Sequence, residues 1–142
     1  MPHRRQENQL PLHVLLLTYI TQLNDMTRAF KTQLQNLAFS GLILQEILDN
    51  PFEDETPQAR LKEIGMMTVL YTMTQAHQAL TLTNMVEVTG LTRSGVKETV
   101  DLLVRRGMLK ETIVKNSMGR GTARQFEISD GLLARLKSSG AL

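Results

Sequence analysis

The 142-residue chain contains no cysteine and no tryptophan, and no proline lies between Pro11 and Pro51. Without cysteine there is no disulfide and no thiolate-ligated metal, which is compatible with a reducing cytoplasm. Hydrophobic residues at 42% and charged residues at 21% are typical of a folded protein. The length favours one domain with a buried core.

Long hydrophobic runs are also missing. An Arg-Arg pair precedes the apolar residues 10–20 and superficially resembles the start of a secretory signal, but Pro11 and His13 interrupt the stretch. No small-residue cleavage site follows. The longest uninterrupted run there, Val14–Leu17, is far shorter than the ~20 residues that span a bilayer. The sequence therefore predicts a cytoplasmic protein without a membrane partner.

Catalytic and metal-binding motifs are absent from the sequence. His3, His13 and His77 have no metal-ligand spacing, and no nucleophile is paired with a base. The glycines of Gly119-Arg120-Gly121 do not lead from a strand into a helix, as a nucleotide-binding loop requires. We expect neither an enzyme nor a cofactor.

Positive charge is concentrated late in the chain. Residues 1–91 hold six Lys and Arg against nine Asp and Glu, whereas residues 92–128 hold eight against four. Such a basic segment is the expected footprint of a phosphate-binding face. An ordinary solvated basic surface would have the same composition, so charge alone leaves both interpretations open.

A polar arm at residues 1–9 is expected to be flexible, and residues 10–49 follow a helical pattern. Apolar residues recur there at alternating spacings of three and four, with Gln33 and Ser40 in two polar slots; the series is Leu16, Tyr19, Leu23, Met26, Phe30, Leu37, Leu44 and Ile47. The region could form one rod of about 57 Å at ~1.5 Å per residue, or split at Asn24-Asp25.

This helical region has more apolar residues than a single stripe along one face of a helix would contain. A second copy of the chain is the economical explanation, and a helix wrapped by its own domain is the alternative. The sequence predicts a dimerisation surface formed by Leu16, Tyr19, Leu23, Met26, Phe30 and Leu37.

A proline-containing acidic break at Asn50–Pro57 separates this region from a helix at about Gln58–Ala76. The expected buried face of that helix is Leu61, Ile64, Met66 or Met67, Leu70, and Met73 or Thr74. Its methionines are interpreted first as adaptable core filling and second as the lining of a ligand pocket.

Residues 80–128 predict a helix, a tight turn, a helix and a β-hairpin. Gly90 suits a left-handed residue after the first helix, and Thr92 suits the N-cap of the second, which Gly107 ends. Strands at Leu109–Lys115 and Thr122–Ile128 flank a turn-rich tip. The predicted fold is mainly α with a small β-hairpin: a winged helix-turn-helix at residues 58–128, preceded by a long N-terminal helical dimerisation region.

Three residues of this segment depart from simple helix rules. The hydroxyl groups of Thr89 and Thr99 can each bond a carbonyl of the preceding turn, so both threonines are compatible with a helix. Gly95 near the start of the second helix indicates either close approach of the backbone to DNA or tight packing against the preceding helix.

The segment LTLTNMVEVTGLTRSGVKETVDLLVRRGML resembles the DNA-binding segment of MarR-type (multiple antibiotic resistance regulator) transcription factors. The resemblance implies a homodimeric bacterial regulator of palindromic sites, often relieved by a small-molecule effector. It also implies base and backbone contacts by residues of the second helix and the hairpin tip, which are Thr92, Arg93, Ser94, Lys97 and Arg120. Phosphate contacts are implied for Thr83 and Asn84 of the first helix.

Two features complete the site and qualify the resemblance. Lys115 and Arg124 at the base of the hairpin are further candidate DNA contacts. Family members usually have longer C-terminal dimerisation helices, whereas residues 129–142 predict only a short helix and tail. The expected dimer therefore depends on residues 10–48.

The function predicted from the sequence is sequence-specific binding of double-stranded DNA by a homodimeric transcriptional regulator, with repression as the expected mode. The alternative is a winged-helix module that binds proteins without reading DNA sequence. Glu98 and Asp101 favour this alternative because carboxylates on the exposed face of the second helix repel phosphate.

Overall fold

The chain is mainly helical with a small antiparallel sheet. The computed structural model describes residues 9–115, 119 and 121–140, so most of the predicted N-terminal arm lies outside the described residues. In chain order the elements are α1 (Leu12–Asp49), α2 (Pro57–Gln75), β1 (Leu80–Thr81), α3 (Leu82–Thr89), α4 (Arg93–Arg105), β2 (Leu109–Lys115), β3 (Thr122–Ile128) and α5 (Asp130–Ser138).

Helix α1 is one helix of 38 residues, without a break at Asn24-Asp25. Its threonines do not interrupt it because their hydroxyls donate to carbonyls four residues earlier; Thr18 Oγ1, for example, lies 2.8 Å from the Val14 oxygen. Two compact units divide within this helix, at Leu34 and Gln35. In the first unit every described side chain is exposed except the half-buried Val14.

The second unit contains the hydrophobic core. Helix α1 contributes Phe39, Ile43 and Ile47, all fully buried at spacings of four. The rings of Phe39 and Tyr71 stack with their centroids 4.0 Å apart. This spacing predicts one helical stripe packed against α2, and offset-stacked rings add to the area that is buried.

Within residues 35–49, α1 has two apolar faces. Leu37 is 71% exposed and Leu44 is 45% exposed. At ~100° per residue, Phe39 and Ile43 lie roughly 100–160° around the helix from them. Ile47, the last residue of the apolar series in the sequence, belongs to the core face.

Helix α2 begins as its sequence indicates and buries most of the predicted face, including Met66, Met67, Leu70 and Met73. Thr56 caps it by accepting a hydrogen bond from the Ala59 amide at 3.1 Å, with Pro57 in the first turn. The predicted core position Leu61 is 66% exposed, whereas Glu63 is fully buried. Because Glu63 is ionisable, it was not predicted among the buried apolar residues. The buried residues of α2 are Glu63, Met66, Met67, Leu70, Tyr71 and Met73.

The sheet has three strands in the order β1-β3-β2, all antiparallel. Leu109 pairs with Ile128 and Leu80 pairs with Phe126. Phe126 and Ile128 are buried, as two-residue alternation predicts. Strand β1 was not predicted, because its two residues are too short to show a pattern.

Helix α5 closes the second unit. Ser129 caps it through the Leu132 amide, and Arg135 Nη1 lies 2.7 Å from Glu46 Oε2 of α1. Across the described ranges, no helix is both long and apolar enough to cross a membrane.

Candidate nucleic-acid interface

Short-range hydrogen bonds fix the geometry of α3, the turn and α4. Thr81 caps α3 through the Asn84 amide at 3.2 Å. Gly90 has φ 68°, the left-handed conformation predicted for it, and its amide donates to the Val86 carbonyl. Thr92 caps α4 as predicted, by accepting from the Gly95 amide at 3.2 Å. These bonds set the path of the chain from α3 into α4.

The cap also explains Gly95. A Cβ at this position would lie 3.1 Å from Thr92 Oγ1 and would meet no other neighbour. The interpretation as packing against the preceding helix is therefore wrong, since the crowding comes from the cap itself. Glycine leaves room for the hydroxyl that holds the first turn of α4.

Helix α4 buries one face and exposes the other. Val96, Val100 and Leu103 are fully buried, and Thr99 is buried with them. The Thr99 hydroxyl donates to the Gly95 carbonyl at 2.9 Å, the bond to the preceding turn that was predicted for it. The opposite face exposes Thr92, Arg93, Ser94, Lys97, Glu98 and Arg105.

The first turn of α4 meets α3 and β3 around a cleft. Arg93 Nη1 lies 3.4 Å from Thr83 Oγ1, a long hydrogen bond between two exposed side chains. Thr83, Arg93 and Arg124 line a cleft of about 340 Å³ together with Thr81, Leu82, Thr122 and Ala123. Three of the predicted contacts therefore share one concave surface.

The other predicted contacts are more dispersed. The Asn84 side chain donates to the Ala79 carbonyl at 2.9 Å, so it is occupied in holding the start of α3. Lys115 is exposed at the end of β2, opposite Thr122. Arg120, predicted to reach a groove from the hairpin tip, lies outside the described residues.

An alternating chain of charges links α4 to the hairpin. Lys97 Nζ lies 2.8 Å from Asp101 Oδ2, and Asp101 Oδ1 lies 2.7 Å from Arg124 Nη2. Arg124 Nε continues to Glu111 Oε1 at 2.6 Å. We call Lys97, Asp101, Arg124 and Glu111 the hairpin network. It joins α4, β3 and β2 with two positive and two negative groups.

The hairpin network shifts the titration of its members. Hydrogen bonds from Arg124 hold the pKa of the Glu111 carboxyl below its usual range. Burial alone would raise the pKa of Asp101, but hydrogen bonds from Lys97 and Arg124 outweigh it and lower the pKa. Glu111 and Asp101 in turn raise the pKa of Arg124. Arg124 therefore stays charged and compensated within the molecule.

A second arginine, at the C-terminal end of α4, lies in a buried cluster that the sequence did not reveal. Arg106 Nε lies 2.5 Å from Glu63 Oε2, and Arg106 Nη2 lies 2.6 Å from Glu55 Oε1. Its Nη1 donates to the Asn50 carbonyl at 2.6 Å, and its guanidinium stacks 4.2 Å from the Phe52 ring centre. We call these five residues the Arg106 cluster.

Both carboxylates of the Arg106 cluster are completely buried, and the Arg106 side chain is only 5% exposed. Burial and a hydrogen bond with Glu55 raise the pKa of Glu63 to about 7, against the opposing effect of Arg106. The pKa of Glu55 is lowered, because hydrogen bonds with Glu63 and Arg106 outweigh its burial. Below pH 7, the proton on Glu63 leaves one buried carboxylate to balance one guanidinium.

Arg105 forms an exposed counterpart beside this cluster. It contacts both oxygens of Asp54 at 3.0 and 3.1 Å and lies 4.1 Å from the Phe52 ring centre. Its hydrogen bonds are the first cause of the lowered pKa of Asp54. The Phe52 ring therefore contacts two consecutive arginines at the end of α4.

The other predicted sites are located as follows. The predicted dimerisation residues lie on α1 and are between 44% and 71% exposed; they are Leu16, Tyr19, Leu23, Met26, Phe30 and Leu37. Met66, Met67, Met73 and Met85 are buried, which confirms core filling. Met66 and Met73 also line open clefts of about 420 and 370 Å³. No group of three metal-ligating side chains occurs in the described part of the chain.

Sequence reasoning missed the partners of the arginines. A signal for Glu63 was present, because residues 63, 67 and 70 continue one helical stripe once a charge is accepted in it. Nothing local signals Glu55 or Asn50, which lie about fifty positions from Arg106.

Comparison of the chain with protein-family models, curated proteins and solved structures finds no match in any of the three.

Proposed function

We propose that the protein is a transcriptional regulator that binds specific sites on double-stranded DNA as a homodimer, through a winged helix-turn-helix. The observation that carries the proposal is the exposed start of α4, with Thr92, Arg93, Ser94 and Lys97, where Arg93 lines one cleft with the hairpin residues Thr122 and Arg124. In this arrangement α4 enters the major groove, α3 crosses the backbone and the β2–β3 hairpin is the wing. The resemblance to MarR-type regulators is consistent with this assignment.

Arg93 is the residue with the strongest case for reading a base. Its long contact with Thr83 is weak enough to be exchanged, and an arginine can donate two hydrogen bonds to the O6 and N7 of guanine. It stands at the amino-terminal end of α4, where the helix dipole also favours phosphate.

The hairpin network supports the wing. Arg124 is 29% exposed and bonded to both Asp101 of α4 and Glu111 of β2. It therefore holds the hairpin against α4. We assign phosphate contact to Lys97, Lys115 and Arg120, and a mainly positioning role to Arg124.

The homodimer is assigned to α1. Its amino-terminal part exposes apolar side chains that include Leu16, Tyr19 and Phe30. An unbroken exposed apolar surface of this kind marks an interaction site. Two-fold symmetry would then present two α4 helices to half-sites about 34 Å apart.

Titration of a random-sequence duplex at several salt concentrations tests DNA binding. We expect a steep loss of affinity with salt, and roughly tenfold weaker binding by Arg93→Ala. Arg120→Ala should also bind more weakly. Lys62→Ala removes an exposed charge from α2 as the matched control and should bind within about twofold of the wild type. Equal losses in Arg93→Ala and Lys62→Ala would reject the assigned face.

Specificity needs a separate experiment. Sites selected from a random pool should be palindromic, with half-site centres about 10 base pairs apart. A folded dimer that binds no DNA at low salt would favour the second candidate, a protein-binding winged-helix module. The exposed Glu98 favours that candidate, whereas the charge of Asp101 is compensated by Lys97 and Arg124.

A further inference from the structure

Helix α1 carries a heptad seam that no described residue covers. Alternate spacings of three and four run from Leu12 to Leu44, in the pattern of a two-stranded coiled coil. The a positions of the heptad hold Leu16, Leu23, Phe30, Leu37 and Leu44. The d positions hold Leu12, Tyr19, Met26, Gln33 and Ser40. The eight apolar members are 44% to 73% exposed.

The size of this seam matches the requirement of a stable dimer. Eight side chains exposing on the order of 100 Å² each give about 800 Å² per copy, the area of a standard protein interface. Between residues 14 and 45 the only charged residues are Asp25, Arg28 and Lys31, none of which occupies the seam. The partner must therefore be a long apolar stripe without charge complementarity, which a second copy of α1 provides.

A polar patch interrupts the seam at one level. Gln33 and Ser40 occupy successive d positions of the heptad. A polar side chain that loses water in an interface is unfavourable until a hydrogen-bond partner reaches it.

The polar patch distinguishes the two orientations of a pair of helices. In an antiparallel pair with the seams fully overlapped, Gln33 faces Leu23 of the second copy and Ser40 faces its Leu16. Each polar side chain then loses water against an apolar one. In a parallel pair without stagger, Gln33 and Ser40 face their own counterparts and can exchange hydrogen bonds, as polar core residues do in parallel coiled coils.

We propose that α1 pairs with α1 of a second copy as a parallel, in-register coiled coil whose register is set by Gln33 and Ser40. This inference rests on the homodimer of the proposed function but not on its DNA binding. The parallel arrangement brings residues 35–49 of both copies to the same end of the pair. Those residues are packed into the core that carries α3 and α4.

Cysteine crosslinking of the full chain tests the orientation, because the chain has no cysteine of its own. Leu12→Cys and Leu44→Cys, which face each other in the fully overlapped antiparallel pair, are oxidised mildly without DNA, first separately and then mixed. A parallel pair brings each cysteine within reach of its own counterpart, so each variant alone forms a disulfide-linked dimer. Crosslinking only in the mixture would establish an antiparallel pair and overturn the proposal.

Two controls keep this result interpretable. Arg28→Cys lies on the side of α1 away from the seam and should remain uncrosslinked. Circular dichroism should show that each variant is folded. Folded variants that sediment as monomers and do not crosslink would also overturn the proposal, whatever their DNA affinity.

A second substitution tests the polar patch. Gln33→Leu should lower the dimer dissociation constant by about tenfold and weaken the specification of register, because a core polar residue trades stability for register. In the Gln33→Leu background, crosslinks between Leu12→Cys and Leu44→Cys should appear in the mixture. An unchanged dissociation constant and unchanged crosslinking would place Gln33 outside the interface. Loss of DNA binding with this crosslinking intact would reject only the proposed function.

Discussion

Two arginines of this molecule each contact two carboxylates, and burial makes them different. Arg106 and its partners Glu55 and Glu63 are almost completely removed from solvent. Arg124 is 29% exposed, and its partners Asp101 and Glu111 are 40% and 27% exposed. Water can solvate the charges of Arg124, Asp101 and Glu111 but not those of Arg106, Glu55 and Glu63. The same ionic composition therefore produces a retained proton in the Arg106 cluster and fully ionised carboxylates in the hairpin network.

The largest expected effect comes from removing the buried arginine. Arg106→Ala leaves the carboxyl groups of Glu55 and Glu63 buried without a cation, so the free energy of unfolding should fall by about 3–5 kcal/mol. Urea unfolding at pH 7.5 measures it. Arg105→Ala is the matched control, because its ion pair with Asp54 is exposed and should cost less than about 1 kcal/mol. Similar losses for both variants would remove the distinction between buried and exposed pairs.

The retained proton predicts a pH dependence between pH 5 and 8. The folded pKa of Glu63, about 7, lies above its ordinary value of 4.5, so the folded state binds the proton more tightly. The stabilisation of the folded state by this tighter proton binding is fully present below pH 4.5 and is lost as the pH rises through 7. Unfolding free energy should therefore fall by about 2 kcal/mol from pH 5 to 8.

Glu63→Gln should abolish that slope, because a neutral amide takes the place of the protonated carboxyl. The lowered pKa values of Glu55, Asp101 and Glu111 act in the opposite direction, but only below pH 4.5. Urea midpoints at four pH values separate the two windows. An identical slope in wild type and Glu63→Gln would show that Glu63 holds no extra proton.

Arg124→Ala should have a moderate effect on stability and a clear one on the hairpin. Partial exposure limits the loss of unfolding free energy to about 1 kcal/mol. Amide hydrogen exchange in β2 and β3 should accelerate, because Arg124 joins the hairpin to α4. Lys110→Ala, an exposed residue of β2, provides the control. Unchanged exchange would remove the positioning role assigned to Arg124.

The smallest effect on stability is expected for Lys97→Ala. Its pair with Asp101 is an exposed contact four residues apart on one helix, worth about 0.3–0.5 kcal/mol. If Lys97 contacts phosphate, the salt dependence of DNA affinity should nevertheless decrease by about one unit in a plot of log affinity against log salt. A slope equal to that of the wild type would exclude this contact.

The sequence predicted those parts of the structure that follow local rules. Gly90 and Thr92 act through residues two to four positions away, and the alternation that buries Phe126 and Ile128 is a property of one strand. The three-stranded sheet was only partly predictable, because β1 has two residues and is defined by its pairing with β3.

Interactions between distant residues could not be predicted. Arg124 was assigned to DNA from its position in the hairpin, but its contact with Asp101 requires the packing of β3 against α4. Glu63 was absent from the predicted buried face of α2, because its contact with Arg106 joins residues 43 positions apart. The periodicity of α1 likewise predicted a helix, but it did not separate the exposed stripe from the stripe of Phe39, Ile43 and Ile47.

The Arg106 cluster also has a consequence for the order of folding. The hairpin closes between residues 7 to 19 positions apart, from Lys115 with Thr122 to Leu109 with Ile128. Arg106 instead meets residues 43 to 56 positions away, including Glu63 and Asn50. Closing such loops costs more chain entropy, so these contacts should form after the main folding barrier. We expect Arg106→Ala to increase the unfolding rate constant far more than it decreases the folding rate constant. The Arg106 cluster would then be a main determinant of how slowly the native state unfolds.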